Sequence, residues 1–312
     1  MLGKQTDVDR LVVMRPMAPV LAAVLSPFFG VTLSYGIING FFWLAGTFTI
    51  YYLTKLLLRE ELYAYISALL YATSRPLLYY GAAVLTDAPG YFFTGLIIYL
   101  TFLGEEKNVS GKFHLTSGLI CASSIFFKES SVLPLGFLLA RRIQKRKGAL
   151  ETIIAFAVVA CVLVAFLYSL GYGLSVYLEK FASASAWGHR GHQWDFAVWL
   201  QTILRSFSPL VLLAPLGIKY FKSMRTVMCL LFLLPLSFTW SVMTERFTFG
   251  LYPIIIPIIV AGLFEAFSLA RGFLRLDFDS KLLAYAVVLL VALYNNYATF
   301  RVYGYPPLPI RL

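Results

Sequence analysis

Long apolar runs follow one another along almost the whole of this sequence. Hydrophobic residues make up 60% of its 312 residues and charged residues only 13%, whereas an ordinary soluble domain is about 45–50% apolar and about 25% charged. A soluble core could not bury so much apolar surface. The composition therefore excludes a soluble enzyme, a disordered chain and a nucleic-acid-binding domain, and it predicts a protein embedded in the lipid bilayer.

The apolar runs have the length of membrane-spanning helices. A helix needs about 20 apolar residues to cross the roughly 30 Å of hydrocarbon in a bilayer. We predict an all-α fold, a polytopic membrane helix bundle of about 10 spans that forms a single transmembrane domain over residues 1–312. The predicted spans are 34–57, 62–80, 88–104, 113–127, 131–147, 150–170, 207–222, 226–243, 248–268 and 281–299.

The basic residues predict the orientation of these spans. Fifteen of the 26 Lys and Arg residues fall in one set of loops and seven in the alternate set. Cytoplasmic loops collect Lys and Arg, so the first set is predicted to lie inside and the C-terminus outside. The count depends on residues 113–147 forming a hairpin of two spans with Lys128 at its tip. One long span would put the basic stretches 105–112 and 141–149 on opposite sides.

Two stretches are predicted to lie along the outer face. Residues 11–30 are apolar but interrupted by Arg15-Pro16. They either span the membrane or lie as a short juxtamembrane helix, and we favour the second interpretation, which makes 1–33 an outer segment. The other stretch is the outer loop 171–206. At its end, Phe196–Phe207 separates polar and apolar faces at helical spacing, which predicts an interfacial helix.

Polar residues gather in the connections that this topology places outside. They come from four separate parts of the chain, and convergence of distant polar groups on one face is the usual form of a functional site. We expect these residues to approach one another. They are Asp87, Lys128, Glu129, His189, Arg190, His192, Asp195, Arg205, Glu245 and Arg246.

Two of these positions allow both a structural and a functional interpretation. Asp87 lies in Thr86-Asp87-Ala88-Pro89 and either caps a helix that begins there or acts as a carboxylate on a metal ion or a sugar hydroxyl. Lys128-Glu129 is either an ion pair or solvated turn of the hairpin, or a phosphate-binding lysine with Glu129 orienting it.

The remaining outer charges differ in how strongly they indicate a site. Arg246 begins a span, where a positive charge opposes the helix dipole. A bound phosphate would relieve this conflict and also meet the free amides of the first turn. His189 and His192 have H-x-x-H spacing in the outer loop, which fits a solvated loop because no third metal ligand lies nearby.

Four short motifs, taken in order, resemble the GT-C superfamily of multi-spanning glycosyltransferases. These enzymes use polyprenyl-phosphate sugars and include protein O-mannosyltransferases and the aminoarabinose transferase of lipid A. Together the motifs extend over most of the chain. They are Met14-Arg15-Pro16-Met17-Ala18-Pro19, Ser74-Arg75-Pro76-Leu77-Leu78-Tyr79-Tyr80 with Leu85-Thr86-Asp87-Ala88-Pro89, Phe127-Lys128-Glu129-Ser130, and Arg246 followed by Leu251-Tyr252-Pro253.

The resemblance implies transfer of a sugar from a polyprenyl-phosphate donor to an acceptor on the outer face of the cell membrane. It implies two catalytic carboxylates, Asp87 and Glu129, with Asp87 also a ligand of a divalent metal ion, Mg²⁺ or Mn²⁺. The other implied site residues are the donor-phosphate ligands Lys128, Arg205 and Arg246 and the accessory histidines His189 and His192.

The resemblance also implies a first span and an acidic loop ahead of Arg15. Only 14 residues precede Arg15 here, and their acids are Asp7 and Asp9. Either the sequence begins inside a longer gene or the chain lacks the principal base. Two other functions stay open at this point. One is a transporter or flippase of lipid-linked sugars, for which pseudo-symmetric halves and broken helices are typical, and the other is a non-catalytic membrane protein.

Overall fold

The computed structural model describes residues 15–81, 86–107, 109–176, 179, 196–221, 223–237, 245–274 and 280–302. Throughout these ranges the regular structure is helical and there is no strand, so the predicted all-α class is confirmed. The α-helices are α1 (Met17–Leu58), α2 (Glu61–Ala72), α3 (Arg75–Tyr80), α4 (Asp87–Glu106), α5 (Gly111–Ala122), α6 (Val132–Lys145), α7 (Ala149–Ser169), α8 (Phe196–Phe207), α9 (Ala214–Gly217), α10 (Met224–Leu233), α11 (Glu245–Thr248), α12 (Tyr252–Leu274) and α13 (Ser280–Tyr297).

Shorter helical turns join several of these elements. They are the 3₁₀ segments Ser123–Phe126, Glu129–Ser131, Pro209–Leu213, Ile218–Phe221, Leu234–Ser237 and Phe249–Leu251, and the π-helical turn Ala298–Val302.

Three helices of the described chain are long and apolar enough to cross a membrane: α1, α7 and the segment Glu245–Phe273. A fourth is reached if Trp199–Phe207 and Pro209–Phe221, which meet at an angle of 101°, form one bent span. Helices occur in each of the ten predicted segments, but the others are shorter or broken, so the count of long spans is below ten. In segment 62–80 the break precedes Arg75, because Pro76 lacks an amide hydrogen and suits the first turn of a new helix.

The long helix α1 bends at Gly30. This residue has φ 72° and ψ 163°, inside a helix of 42 residues that also contains Pro27. A positive φ is accessible to glycine at little steric cost. The predicted juxtamembrane helix corresponds to the arm of α1 before this bend, and its place relative to a bilayer stays a prediction.

The three long helices occupy different layers of the bundle. In the most apolar 18-residue stretch of each helix, 83% of the residues are buried in Glu245–Phe273, 17% in α1 and 22% in α7. The first is therefore the central helix. The other two leave large apolar side chains exposed, such as Phe28 and Val162, which is the surface expected of helices that contact lipid.

Helices α5 and α6 form the hairpin predicted from the sequence. The chain reverses around Lys128, and the Arg142 guanidinium near the end of α6 donates from Nη1 to the His114 carbonyl near the start of α5 at 2.8 Å. Helix α4 runs beside this hairpin. Its first residue is near the hairpin tip, while Glu106 at its last turn pairs with Arg225 at 3.0 Å. The basic loops predicted to be on one side thus meet at one end of the bundle.

Candidate functional site

A cluster of charged residues occupies the end of the bundle that includes the start of α4 and the tip of the α5–α6 hairpin. Six separate parts of the chain contribute to it, and ion pairs connect its members. We call it the charged cluster. Its members are Arg15, Arg75, Asp87, Lys128, Glu129, Arg205, Glu245 and Arg246.

Asp87 is at the centre of the charged cluster and is fully buried. Lys128 Nζ donates to Asp87 Oδ1, and Arg246 Nε donates to the same oxygen at 2.7 Å. The other carboxylate oxygen, Oδ2, is buried and accepts no hydrogen bond from the described chain. Asp87 is the first residue of α4, after Thr86, and its carboxylate bonds go to cations rather than to the amides of the first turn.

Glu129 is held by Arg15 rather than by its neighbour Lys128. Arg15 donates from Nε to Glu129 Oε2 at 2.6 Å and from Nη2 to Oε1, which makes a bidentate pair. The same guanidinium donates from Nη1 to Thr86 Oγ1 at 3.0 Å. This pair therefore lies beside the Asp87 group, because Thr86 and Glu129 are the chain neighbours of Asp87 and Lys128.

Glu245 forms the third ion-pair group of the cluster. Its Oε1 lies 3.2 Å from Arg75 Nη1 and 3.8 Å from Arg205 Nη1. Arg205 extends from helix α8, and its side chain is 42% exposed. Because Glu245 and Arg246 are consecutive, this group is joined to Asp87 through the backbone of α11.

The charged cluster carries more positive than negative charge. Five cationic side chains meet three carboxylates, which leaves an excess of two positive charges. Burial lowers the pKa of Lys128, which lies in the connection between α5 and α6, to about 8. Burial works to raise the pKa of Glu129, but the guanidinium of Arg15 outweighs it and holds that pKa below its usual range. An anionic ligand complements such a site.

Three aromatic residues next to the charged cluster hold the backbone of Arg246 in place. Tyr91 donates its hydroxyl hydrogen to the Arg246 carbonyl at 2.7 Å, and the Tyr252 hydroxyl donates to the Tyr91 carbonyl. Phe249 stacks on Tyr252 with ring centroids 5.2 Å apart. A cavity of about 20 Å³, with Thr94 among its lining residues, opens between Lys128 and Arg246. That volume holds about one water molecule, so a sugar phosphate enters only after side chains move.

Gly90 gives Lys128 its path to Asp87. A Cβ atom at Gly90 would lie 2.5 Å from Lys128 Cδ, so the lysine stem passes over the bare backbone of the first turn of α4. A larger residue at this position would require the lysine stem to move.

A metal ion does not fit the groups around Asp87. In the described ranges, no three His, Cys, Asp or Glu side chains come together to hold one. The two cations on Asp87 Oδ1 would also repel a divalent ion. His189 and His192 lie outside the described residues, as do Arg190 and Asp195.

Two cluster residues, Arg15 and Arg75, were not among the site residues predicted from the sequence, although both stand in the quoted motifs. Each precedes a proline at the start of a helix, where its charge opposes the helix dipole. This is the argument that singled out Arg246. Applied to both Arg-Pro pairs, it would have predicted an anionic partner for each arginine, and in the structure that partner is a glutamate.

Comparison with known proteins identifies a family. A family model described as dolichyl-phosphate-mannose-protein mannosyltransferase matches residues 15–171, which is half of the chain. The matched region contains Arg15, Asp87, Lys128 and Glu129, and Arg246 joins them from outside it. Comparisons with curated proteins and with solved structures gave no significant match. The chain is an integral membrane protein that belongs to the dolichyl-phosphate-mannose-protein mannosyltransferase family of GT-C type glycosyltransferases.

Proposed function

We propose that this protein transfers a sugar from a polyprenyl-phosphate donor to an acceptor hydroxyl at the charged cluster, on the extracytoplasmic side of the membrane. The family supports a lipid-linked sugar as donor. The distribution of Lys and Arg over the loops supports the side.

One observation carries the proposal. Lys128 and Arg246 come from different parts of the chain, yet both donate to Asp87 Oδ1. Their charges are thereby held side by side before any ligand arrives. Cations positioned in advance stabilise the negative charge that develops on a departing phosphate. The cluster's excess of two positive charges matches the phosphate product.

The reaction that fits this arrangement begins with exchange of partners. The donor phosphate takes Lys128 and Arg246 from Asp87, and the freed carboxylate becomes more basic. The acceptor hydroxyl then gives its proton to Asp87 while its oxygen forms a bond to the anomeric carbon. The bond from that carbon to the phosphate oxygen breaks, and polyprenyl phosphate leaves with the electron pair. Asp87 Oδ2, which accepts no hydrogen bond from the described chain, is the oxygen available to the acceptor.

Two other members of the cluster receive supporting roles. Arg205 is half exposed at the rim, so it meets the donor phosphate on entry. Glu129 holds Arg15 against Thr86 and is a positioning residue, because its two oxygens are both engaged.

The test is transfer by the full chain in proteoliposomes, with radiolabelled dolichyl-phosphate-mannose as donor and membrane proteins as acceptor. We expect label to enter protein as dolichyl phosphate is released. Arg246→Gln should lower the rate about 100-fold or more, the usual loss when a group that stabilises the transition-state charge is removed.

The matched control is Arg225→Gln. Arg225 and Arg246 side chains are 25% and 24% exposed, and each pairs with one carboxylate, but Arg225 is at the opposite end of the bundle. Equal rates in the two variants would refute the site. Movement of intact donor across the bilayer without release of phosphate would favour a transporter instead.

A further inference from the structure

A basic cavity of about 230 Å³ lies at the opposite end of the bundle from the charged cluster. The end of α4, the start of α5 and the end of α6 form its wall, which includes Glu105 and His114. Asp87 and Glu105 are near the two ends of α4, so at 1.5 Å per residue they lie about 27 Å apart. Sugar transfer at the charged cluster does not account for this cavity.

Only one of the four cations in the wall is balanced by a carboxylate. Arg141 forms a bidentate pair with Glu105, with N–O distances of 2.6 and 2.8 Å. Among the described residues, no carboxylate lies within ion-pair distance of the other three, which are Arg142, Lys145 and Lys147. Three positive charges therefore face one cavity without a direct ion-pair partner, while the Glu151 carboxylate attracts Arg142 from farther away.

Among the cations of the cavity wall, Arg142 has a burial that the membrane topology does not explain. Basic residues at a cytoplasmic end are common as solvated anchors, and Lys145 and Lys147 are exposed as such anchors are. Arg142 is only 5% exposed. Its hydrogen bonds go to neutral groups, including the His114 carbonyl at 2.8 Å and Ser117 Oγ at 2.6 Å. A buried cation is costly unless an anion is close by. Glu151 attracts Arg142 only from beyond ion-pair distance, and the cavity leaves room for a closer anion.

The charge and size of the cavity indicate the class of ligand. A phosphate monoester carries about −1.5 to −2 charges at neutral pH, which balances most of the three cations, whereas a single carboxylate would leave two. Arg and Lys are the usual phosphate-binding side chains. The volume is below the roughly 300–1,000 Å³ of pockets for drug-sized ligands, so it suits a phosphate with a small substituent. His114 also lines the cavity, and its buried Nδ1 has no hydrogen-bond partner in the described chain.

We propose that this cavity binds a phosphate group at the cytoplasmic end of the protein. The group belongs either to a phospholipid headgroup or to a small soluble phosphate, and both present the same chemistry to Arg142, Lys145 and Lys147. The proposal does not depend on sugar transfer at the other end.

The test is ³¹P NMR titration of the purified full chain in detergent with two probes, inorganic phosphate and dihexanoyl phosphatidic acid. Both probes are titrated in the Arg246→Gln background so that the charged cluster binds them more weakly, and the comparison of the two lysine pairs cancels what it still contributes. The variant is Lys145→Gln/Lys147→Gln, which changes exposed side chains and leaves the buried Arg142 in place. The matched control is Lys107→Gln/Lys112→Gln, because these lysines are exposed at the same end and are not part of the wall.

We expect saturable binding of at least one probe, weakened about fivefold or more in the first pair and less than twofold in the control. Saturation by phosphatidic acid alone identifies the lipid headgroup, and saturation by inorganic phosphate identifies the soluble ligand. If neither probe saturates, or if both lysine pairs weaken binding equally, the proposal is wrong.

Discussion

Arg246 and Asp87 are 159 residues apart in the chain, yet Arg246 Nε lies 2.7 Å from Asp87 Oδ1. Lys128, from a third part of the chain, donates to the same oxygen. Because both cations share one acceptor, the carboxylate holds them together and is itself held. In the proposed reaction a phosphate that takes both cations also releases the carboxylate, which couples phosphate binding to activation of Asp87 as the base.

Gly90→Ala tests the position of Lys128. The new Cβ atom would stand 2.5 Å from Lys128 Cδ and push the ammonium group off Asp87. We expect affinity for farnesyl phosphate, a short polyprenyl phosphate, to fall about tenfold. Helix stability should not fall, since Ala is favoured over Gly in a helix by about 1 kcal/mol.

The control for this variant lies on the same helix. In Gly104→Ala the new Cβ meets its nearest atom, Phe113 Cε1, at 3.6 Å, an ordinary contact. If both variants bind farnesyl phosphate like the native chain, as measured by calorimetry in detergent, the lysine does not bind the phosphate.

The pH dependence of farnesyl phosphate binding should follow Lys128. Its pKa is lowered to about 8 by burial, so its charge is present at pH 7 and lost as the pH rises to 9. The second phosphate pKa is about 6, so the probe does not change charge in this window. We expect a several-fold loss of affinity between pH 7 and 9. Lys128→Arg should abolish that dependence, because an arginine stays charged, and persistence of the loss in this variant would assign it to another group.

The Arg15–Glu129 pair should contribute to stability as well as to position. The side chains are 13% and 19% exposed, so removing one partner leaves a largely buried charge, at a cost of about 3 kcal/mol. Arg15→Gln and Glu129→Gln should each lower the melting temperature in detergent. The double variant should melt well above the value expected if the two losses added. Additive losses would show that the two side chains do not depend on each other.

Chelation should leave the reaction unchanged. Two cations already neutralise Asp87, and the described chain offers no cluster of metal ligands. Transfer from dolichyl-phosphate-mannose should therefore proceed at the same rate with and without EDTA. A loss that Mg²⁺ or Mn²⁺ restores would require ligands beyond those of the charged cluster.

The sequence was sufficient for the class of fold because lipid imposes a simple rule: long apolar runs become helices. The hairpin at Lys128 was also predictable, since the basic stretches on either side of it had to lie together. The number of long spans was not. Positions such as Thr73–Ser74, where helix α2 ends and α3 begins, break an apolar run without making it less apolar, so hydropathy alone does not detect them.

The site was predictable as a set of residues but not as a set of pairs. Polar side chains from connections at the same end of a helix bundle share a small surface, and for this reason Asp87, Lys128 and Arg246 could be proposed as neighbours. An ion pair between the consecutive residues Lys128 and Glu129 was one of the alternatives from the sequence, and instead they reach different partners. Which carboxylate each cation meets depends on helix packing, which periodicity does not specify.

Binding of farnesyl phosphate to the Arg246→Gln and Arg225→Gln variants tests the central claim most directly, because it needs no acceptor and compares two arginines of equal exposure. The account predicts that the first variant loses at least about tenfold in affinity, the usual effect of losing a charge-assisted contact, while the second matches the native chain. Equal affinity in all three proteins would contradict the claim that the charged cluster binds the phosphate of the donor.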